Sequence, residues 1–251
     1  MSLKELNLGF KRWLDTGLGF IYPEVCQICG DERATVEDGF VGLECWKRVR
    51  FIEQPYCSRC GLPFSGEITN SFTCGNCHDL DLAFRSARSA AIFNDFLKHV
   101  LHLYKYNRAL WFEPFLADLL IRRAAAALHE EGCDLIVPMP LHRHRRRERE
   151  FNQAERLSQR LSCHTKIPMN AGLLERVKPT LTQTHLDRAA RAENVRGAFA
   201  LRPGVRLQGQ RVVLVDDVLT TGATTNACAK VLRAAGAGEV SVWTVARGVL
   251  N

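Results

Sequence analysis

No apolar run in this chain reaches the roughly 20 residues that a membrane-spanning helix needs. The first residues also lack the unbroken apolar core and small-residue cleavage site of a signal peptide. Instead, Lys4, Glu5, Lys11, Arg12 and Asp15 interrupt the apolar positions, so residues 1–22 read as a short amphipathic helix packed on the body of the protein. No low-complexity segment occurs, and no internal repeat beyond a doubled cysteine pattern. Acidic residues are in the minority, 27 against 34 Lys and Arg, giving a formal charge of +7. That balance suits anionic partners, phosphorylated metabolites or nucleic acid, without separating them. The expected location is cytoplasmic.

Evenly spread cysteines, as in a secreted disulfide scaffold, are missing too. Seven of the ten lie between Cys26 and Cys77. They form Cys26-x-x-Cys29-Gly30, a lone Cys45, Cys57-x-x-Cys60-Gly61 and Cys74-x-x-Cys77. A C-x-x-C turn aims two thiolates at one ion, and the following glycine relieves the backbone. Cys57, Cys60, Cys74 and Cys77 have the spacing of a complete zinc ribbon. Four thiolates leave no open position for water, so a structural role outranks a catalytic one. The first half offers only Cys26, Cys29 and Cys45, because the residue at 42 is Gly42. Two readings stay open there: zinc with water or a borrowed ligand, such as Glu44 or a distant His, or an eroded ribbon held by packing of Phe40, Trp46 and Phe51. Residues 23–81 are the expected ribbon module. Cys133, Cys163 and Cys228 read as packing residues.

Residues 83–251 alternate strands with helices. Strands are expected at 86–93, 134–137, 173–174, 212–215 and 240–245, and helices at 95–104, 111–128 and 152–161. This alternation implies an α/β domain with a parallel sheet, whose ligands bind at the carboxyl ends of the strands. Val212 to Val215 has the apolar continuity of a strand buried on both faces. Asp216 and Asp217 follow it, then Thr220-Thr221-Gly222-Ala223-Thr224, then an apolar-faced helix from about 224 to 235. Free N–H groups at a helix start, with the positive dipole end, favour a phosphate. Threonine hydroxyls can add donors, Gly222 lets the loop close, and the carboxylates can accept from vicinal ribose hydroxyls. A receiver domain also sets acidic pairs after a strand, and an ordinary ligand-free turn is the plainer alternative.

The stretch resembles the phosphoribosyl-pyrophosphate (PRPP) motif of the type I phosphoribosyltransferases. A donor of that kind loses pyrophosphate, whose charge guanidinium groups can neutralise. The basic run from Arg143 to Arg149 leaves the strand that ends at Val137-Pro138-Met139-Pro140, and Arg143 and Arg149 are its candidates. The alternative is a solvated basic helix face. The polar stretch from Leu174 to Phe199, with Thr180, Gln183 and Arg191, is long enough for a lid, the alternative being a surface excursion with a helix over 186–195.

Further motifs follow in order: Val137-Pro-Met-Pro-Leu141, Phe151-Asn-Gln153, Arg176-x-x-x-Thr-x-x-Gln183, Arg191-x-x-Asn-Val-x-Gly-Ala-Phe199 and Val215 to Thr224. With the cysteine ribbons, these resemble the ComF competence-protein family from Tyr22 to Gly248. The resemblance implies a double zinc ribbon fused to a type I phosphoribosyltransferase fold. It implies PRPP contacts at Asp216, Asp217, Thr220, Thr221, Gly222, Ala223 and Thr224, with Mg²⁺ accompanying PRPP. It also implies zinc ligands at Cys57, Cys60, Cys74 and Cys77, and at Cys26, Cys29 and Cys45. The chain departs at Gly42, where the family carries Cys, and at Glu150, where it favours Gly.

Two functions follow as expectations, ahead of a third, a structural adaptor with a lapsed PRPP site, which the intact side chains of the Asp216 loop argue against. One is phosphoribosyl transfer to an unnamed acceptor, with PRPP or a related ribose phosphate as ligand. The other is handling of single-stranded DNA with the DNA-uptake machinery, the basic run tracking phosphates and Trp46, Tyr56 or Phe64 stacking bases. No residue stands out as an acceptor-specific base.

Overall fold

The computed structural model describes residues 24–249 except 67, 69, 70, 79, 180–189, 191 and 192. The amphipathic segment expected at residues 1–22 lies outside them, as do Thr180, Gln183 and Arg191 of the expected lid.

Four parallel strands make the central sheet, in the order β1 (Ser86–Ile92), β6 (Glu239–Arg247), β5 (Arg211–Leu219) and β2 (Leu135–Pro138). A separate antiparallel pair joins β3 (Leu174–Arg176) to β4 (Phe199–Leu201). In β5, side chains alternate between two cores, as the strand period of two requires. Val213 and Val215 pack with helices α3 (Asp95–Tyr106), α4 (Glu113–Glu130) and α6 (Gln153–Thr165). Val212 and Leu214 pack with α7 (Ala223–Ala234) and the β3–β4 pair. Both faces are buried, which explains the continuous apolar run.

Each expected strand and helix of the α/β domain is present, with shifted ends. The largest shift is in β5, which runs on to Leu219 because Asp216 pairs with Thr244 and Leu219 with Arg247. The acid pair therefore sits inside the strand rather than in the loop beyond it. The basic run forms the helix α5 (Arg143–Arg149), and β4 has no counterpart among the expected elements.

The ribbon module carries two short helices, α1 (Leu43–Trp46) and α2 (Gly75–His78). It docks along the free edge of β1. Ile52 N–H donates to Ala90, Ile92 N–H to Arg50 and Ala87 N–H to Arg59. Trp46 meets the Phe115 ring edge-on, with centroids 5.1 Å apart, and so packs the first ribbon on α4. At the other edge, Pro168 to Asn170 exchange bonds with Ile136 of β2. Among the described residues, no helix is long and apolar enough to cross a membrane.

Buried Glu113, at the start of α4, accepts from Arg156 and, at 2.8 Å, from Arg160, both on α6. This ion triad ties the two helices together under the sheet.

Candidate functional site

A cleft of about 400 Å³ opens at the carboxyl ends of β2 and β5. Asp216, Asp217 and the Thr220 to Thr224 loop line one side, and α5 lines the other. The loop turns at Gly222, whose φ of +79° is left-handed; a glycine adopts it without the Cβ penalty. Among the described residues, no side chain caps α7 at Gly222, and the Ala223 N–H makes a 3.5 Å contact to Thr221 Oγ1. Thr225 turns its hydroxyl back to the Gly222 carbonyl at 2.9 Å. The helix start thus presents its positive end to the cleft.

The two acids are held differently. Asp217 is buried and pairs with Lys105 Nζ at 2.7 Å. Asp216 Oδ1 accepts the Asp217 N–H at 2.9 Å. Burial, with the neighbouring Asp217 charge adding to it, pushes the Asp216 carboxyl up to about 7; Lys105, the Asp217 N–H and Arg176 oppose the rise. One acid is therefore charge-neutralised by a lysine, while the other titrates near neutrality.

The two ends of the basic run separate. Arg149 lines the cleft, stacks over Tyr106 at 4.9 Å and donates to its hydroxyl at 3.2 Å. Arg143 is exposed at the start of α5 and does not line the cleft; Arg145 does. A seven-residue helix turns only some of its arginines inward, and its phase could not be read from a uniformly basic run. Arg176 and Lys105 also line the cleft and were not singled out from sequence for this role. Arg176 opens a spaced motif that does not mark it for the cleft, and Lys105 comes from a remote helix with no spacing signal. Glu150 closes α5 at φ +67°.

The expected zinc ligands form two groups. The sulfurs of Cys57, Cys60, Cys74 and Cys77 all lie within 4.8 Å of one another. The Cys60–Cys74 separation is 3.7 Å; zinc–sulfur bonds of about 2.3 Å in a tetrahedron give an edge of about 3.8 Å. Cys57 is buried, which raises its thiol, but N–H groups of Cys74 and Cys60 outweigh this and bring it to about 7. The donor set fits structural zinc. The knuckle glycines Gly30 and Gly61 have φ of +77° and +63°. Cys26, Cys29 and Cys45 gather with the Glu32 carboxylate in a second group. Glu44, one of the borrowed ligands considered, pairs with Lys47 at 2.6 Å.

Two other readings change and one stands. Trp46 is partly buried against Phe51 and Phe115, and Arg88 covers Tyr56, so of the three aromatics considered for base stacking only Phe64 is exposed. Cys228 is buried with its Sγ 3.3 Å from Met139 Sδ, and burial raises it, as suits a packing thiol. Cys163 is exposed on α6 and does not pack in the core.

The second ribbon meets the cleft loop through buried Arg247. Its Nε donates to the Cys60 carbonyl at 3.2 Å and its Nη1 to Leu219 and Thr220 at 3.1 and 2.6 Å.

Fold and site together define a parallel-sheet α/β domain that carries a double zinc ribbon and an acid-pair cleft at its carboxyl edge. The double zinc ribbon domain family matches residues 17–78. Competence protein F of Haemophilus influenzae is 33% identical over 81% of this chain and 88% of its own length. DNA utilization protein YhgH of Escherichia coli K12 is 31% identical over 90% and 97%. Competence protein ComFC of Bacillus subtilis is 26% identical over 91% and 97%. The chain belongs to the ComF family. Among solved structures, a purine phosphoribosyltransferase from Pyrococcus horikoshii matches 53% of this chain and 83% of its own, at 20% identity and a TM-score of 0.36. Adenine phosphoribosyltransferase from Leishmania tarentolae matches 55% and 58%, at 22% identity and a TM-score of 0.34.

Proposed function

We propose that the cleft binds PRPP, or a related ribose phosphate, and transfers the phosphoribosyl group to an acceptor. One observation carries this reading. The acid pair and the uncapped start of α7 line the same cleft, joined by the Gly222 turn. A phosphorylated pentose needs that combination: acceptors for its hydroxyls and N–H donors for its phosphate.

The N–H groups around Ala223, with the threonine hydroxyls, would hold the 5′-phosphate. Asp216 would accept from a ribose hydroxyl, while the 2.7 Å pair with Lys105 holds Asp217 in place beside it. Arg149, fixed by Tyr106, lies on the opposite wall, where a departing pyrophosphate would gather charge. The two carboxylates also suit a hydrated Mg²⁺ shared with the ligand. When bound, that ion would neutralise phosphate charge.

Calorimetry tests this. PRPP with Mg²⁺ should bind in the micromolar to millimolar range, and Asp216→Asn with Asp217→Asn should abolish the heat. No heat from the wild-type chain, where a known PRPP enzyme responds, would refute it.

A second reading is contact with single-stranded DNA, consistent with the names of the relatives. Arg143 and Arg147 are exposed on α5 and lie off the cleft, so they are available to phosphates. Oligonucleotide affinity should then fall steeply with salt, and fall again in the Arg145→Ala, Arg146→Ala, Arg147→Ala chain. Binding indifferent to salt removes this reading.

A further inference from the structure

The first ribbon lacks a thiol at position 42, yet its other parts are in place. Cys26 N–H donates to the Glu32 carbonyl at 2.8 Å and Gly30 N–H to Cys26 at 2.9 Å. The second ribbon repeats this with Cys57 to Leu62 and Gly61 to Cys57, both at 2.9 Å. Three thiols from two separate turns converge without a fourth, and Glu32 completes the group.

The position of Glu32 is tied to the missing side chain. A Cβ built on Gly42 would lie 2.1 Å from Glu32 Cδ, 2.2 Å from Cγ and 2.5 Å from Oε1. The carboxyl group thus occupies the space into which residue 42 would extend a side chain. Two backbone N–H groups orient it: Glu44 donates to Oε2 at 3.0 Å and Cys45 to Oε1 at 3.2 Å. In the second ribbon the comparable donors, Cys60 and Cys74 N–H, point at a ligand sulfur, Cys57 Sγ. Glu32 Oε1 lies 3.7 Å from Cys29 Sγ. Zinc bonds of about 2.3 Å to sulfur and 2.0 Å to oxygen give a tetrahedral edge of about 3.5 Å, close to that separation.

We propose that Glu32 is the fourth ligand of a three-cysteine, one-carboxylate zinc site in the first ribbon, replacing the thiolate absent at Gly42. Three thiolates and a carboxylate carry the same formal charge as four thiolates. The exchange therefore preserves the site's charge and closure while hardening one donor. Neither position is free to vary alone: a side chain at 42 collides with Glu32, and loss of Glu32 opens the fourth position to water.

The test uses the full chain, purified and challenged with a competing chelator. Wild type should retain about two zinc ions, and Glu32→Ala about one, with first-site affinity lowered by about 100-fold or more. The double variant Glu32→Ala, Gly42→Cys should regain the second ion. Zinc X-ray absorption of the wild type should show an oxygen at about 2.0 Å beside the sulfurs, lost in the double variant. This holds even if Glu32→Ala alone fails to fold. An all-sulfur wild-type spectrum, one ion in the wild type, or undiminished zinc retention in Glu32→Ala would each overturn the proposal.

Discussion

Arg247 Nη1 donates to the carbonyl of Thr220 at 2.6 Å, so the last residue of β6 fixes the first residue of the cleft loop. The same guanidinium bonds Leu219, Gly248 and Cys60, a zinc-ribbon residue 187 positions earlier. Removing it takes away the one donor that the Cys60, Leu219, Thr220 and Gly248 carbonyls share. Arg247→Ala should cost on the order of 3 kcal/mol of stability and weaken PRPP binding together with it. Urea unfolding and calorimetry measure both; a variant as stable as wild type would show that the clamp contributes nothing.

Asp216 gives a pH-dependent effect. Its carboxyl is raised to about 7 by burial and by Asp217, so its contribution to stability is fully present below the unfolded value near 3.8 and is lost as pH rises through 7. Asp216→Asn should therefore stabilise the ligand-free chain by on the order of 2–4 kcal/mol at pH 8 and by much less at pH 4.5. Equal gains at the two pH values would contradict the buried-charge account.

Glu150 holds a left-handed conformation at φ +67°, with its carboxylate paired to exposed Arg108 at 3.0 Å. An L side chain is disfavoured there, and an exposed ion pair returns little. Glu150→Gly should raise stability by roughly 1 kcal/mol, a Tm increase of a few degrees or less. A fall of similar size would show that the Arg108 pair outweighs the backbone strain.

Glu113 joins α4 to α6 through two arginines. Glu113→Ala leaves Arg156 and Arg160 facing a buried site without their anion, although both arginines are partly hydrated. The expected loss is on the order of 2–4 kcal/mol, read from the urea midpoint. A change below about 0.5 kcal/mol would mean that water replaces the carboxylate freely.

Local features of the sequence carried far. The apolar run at Val212, the Thr-rich turn and the cysteine pairs each encode one stretch of backbone, and each is found where its spacing implies. The length of β5 was not legible, since Asp216 and Asp217 are poor strand formers and only pairing with Thr244 and Arg247 keeps them in register. Nor were the partners of the cleft acids. Lys105 lies in the last turn of a helix formed more than a hundred residues earlier, and nothing near it marks its target. Glu32 left a fainter sign: it stands three residues after Cys29, and Gly42 opens the space it fills. Those two facts become one only when the turns are superposed in space.

Each margin of the central sheet is occupied by irregular chain: Arg50, Ile52 and Arg59 along β1, and Pro168 to Asn170 along β2. These segments pair with the outer N–H and C=O groups yet are too short and bent to act as strands themselves. A neighbouring molecule that sought to extend the sheet would find those bonding groups already engaged. The zinc ribbon thereby shields one flank against self-association. Stripping its metal should reveal itself first as turbidity, before any loss of helical signal.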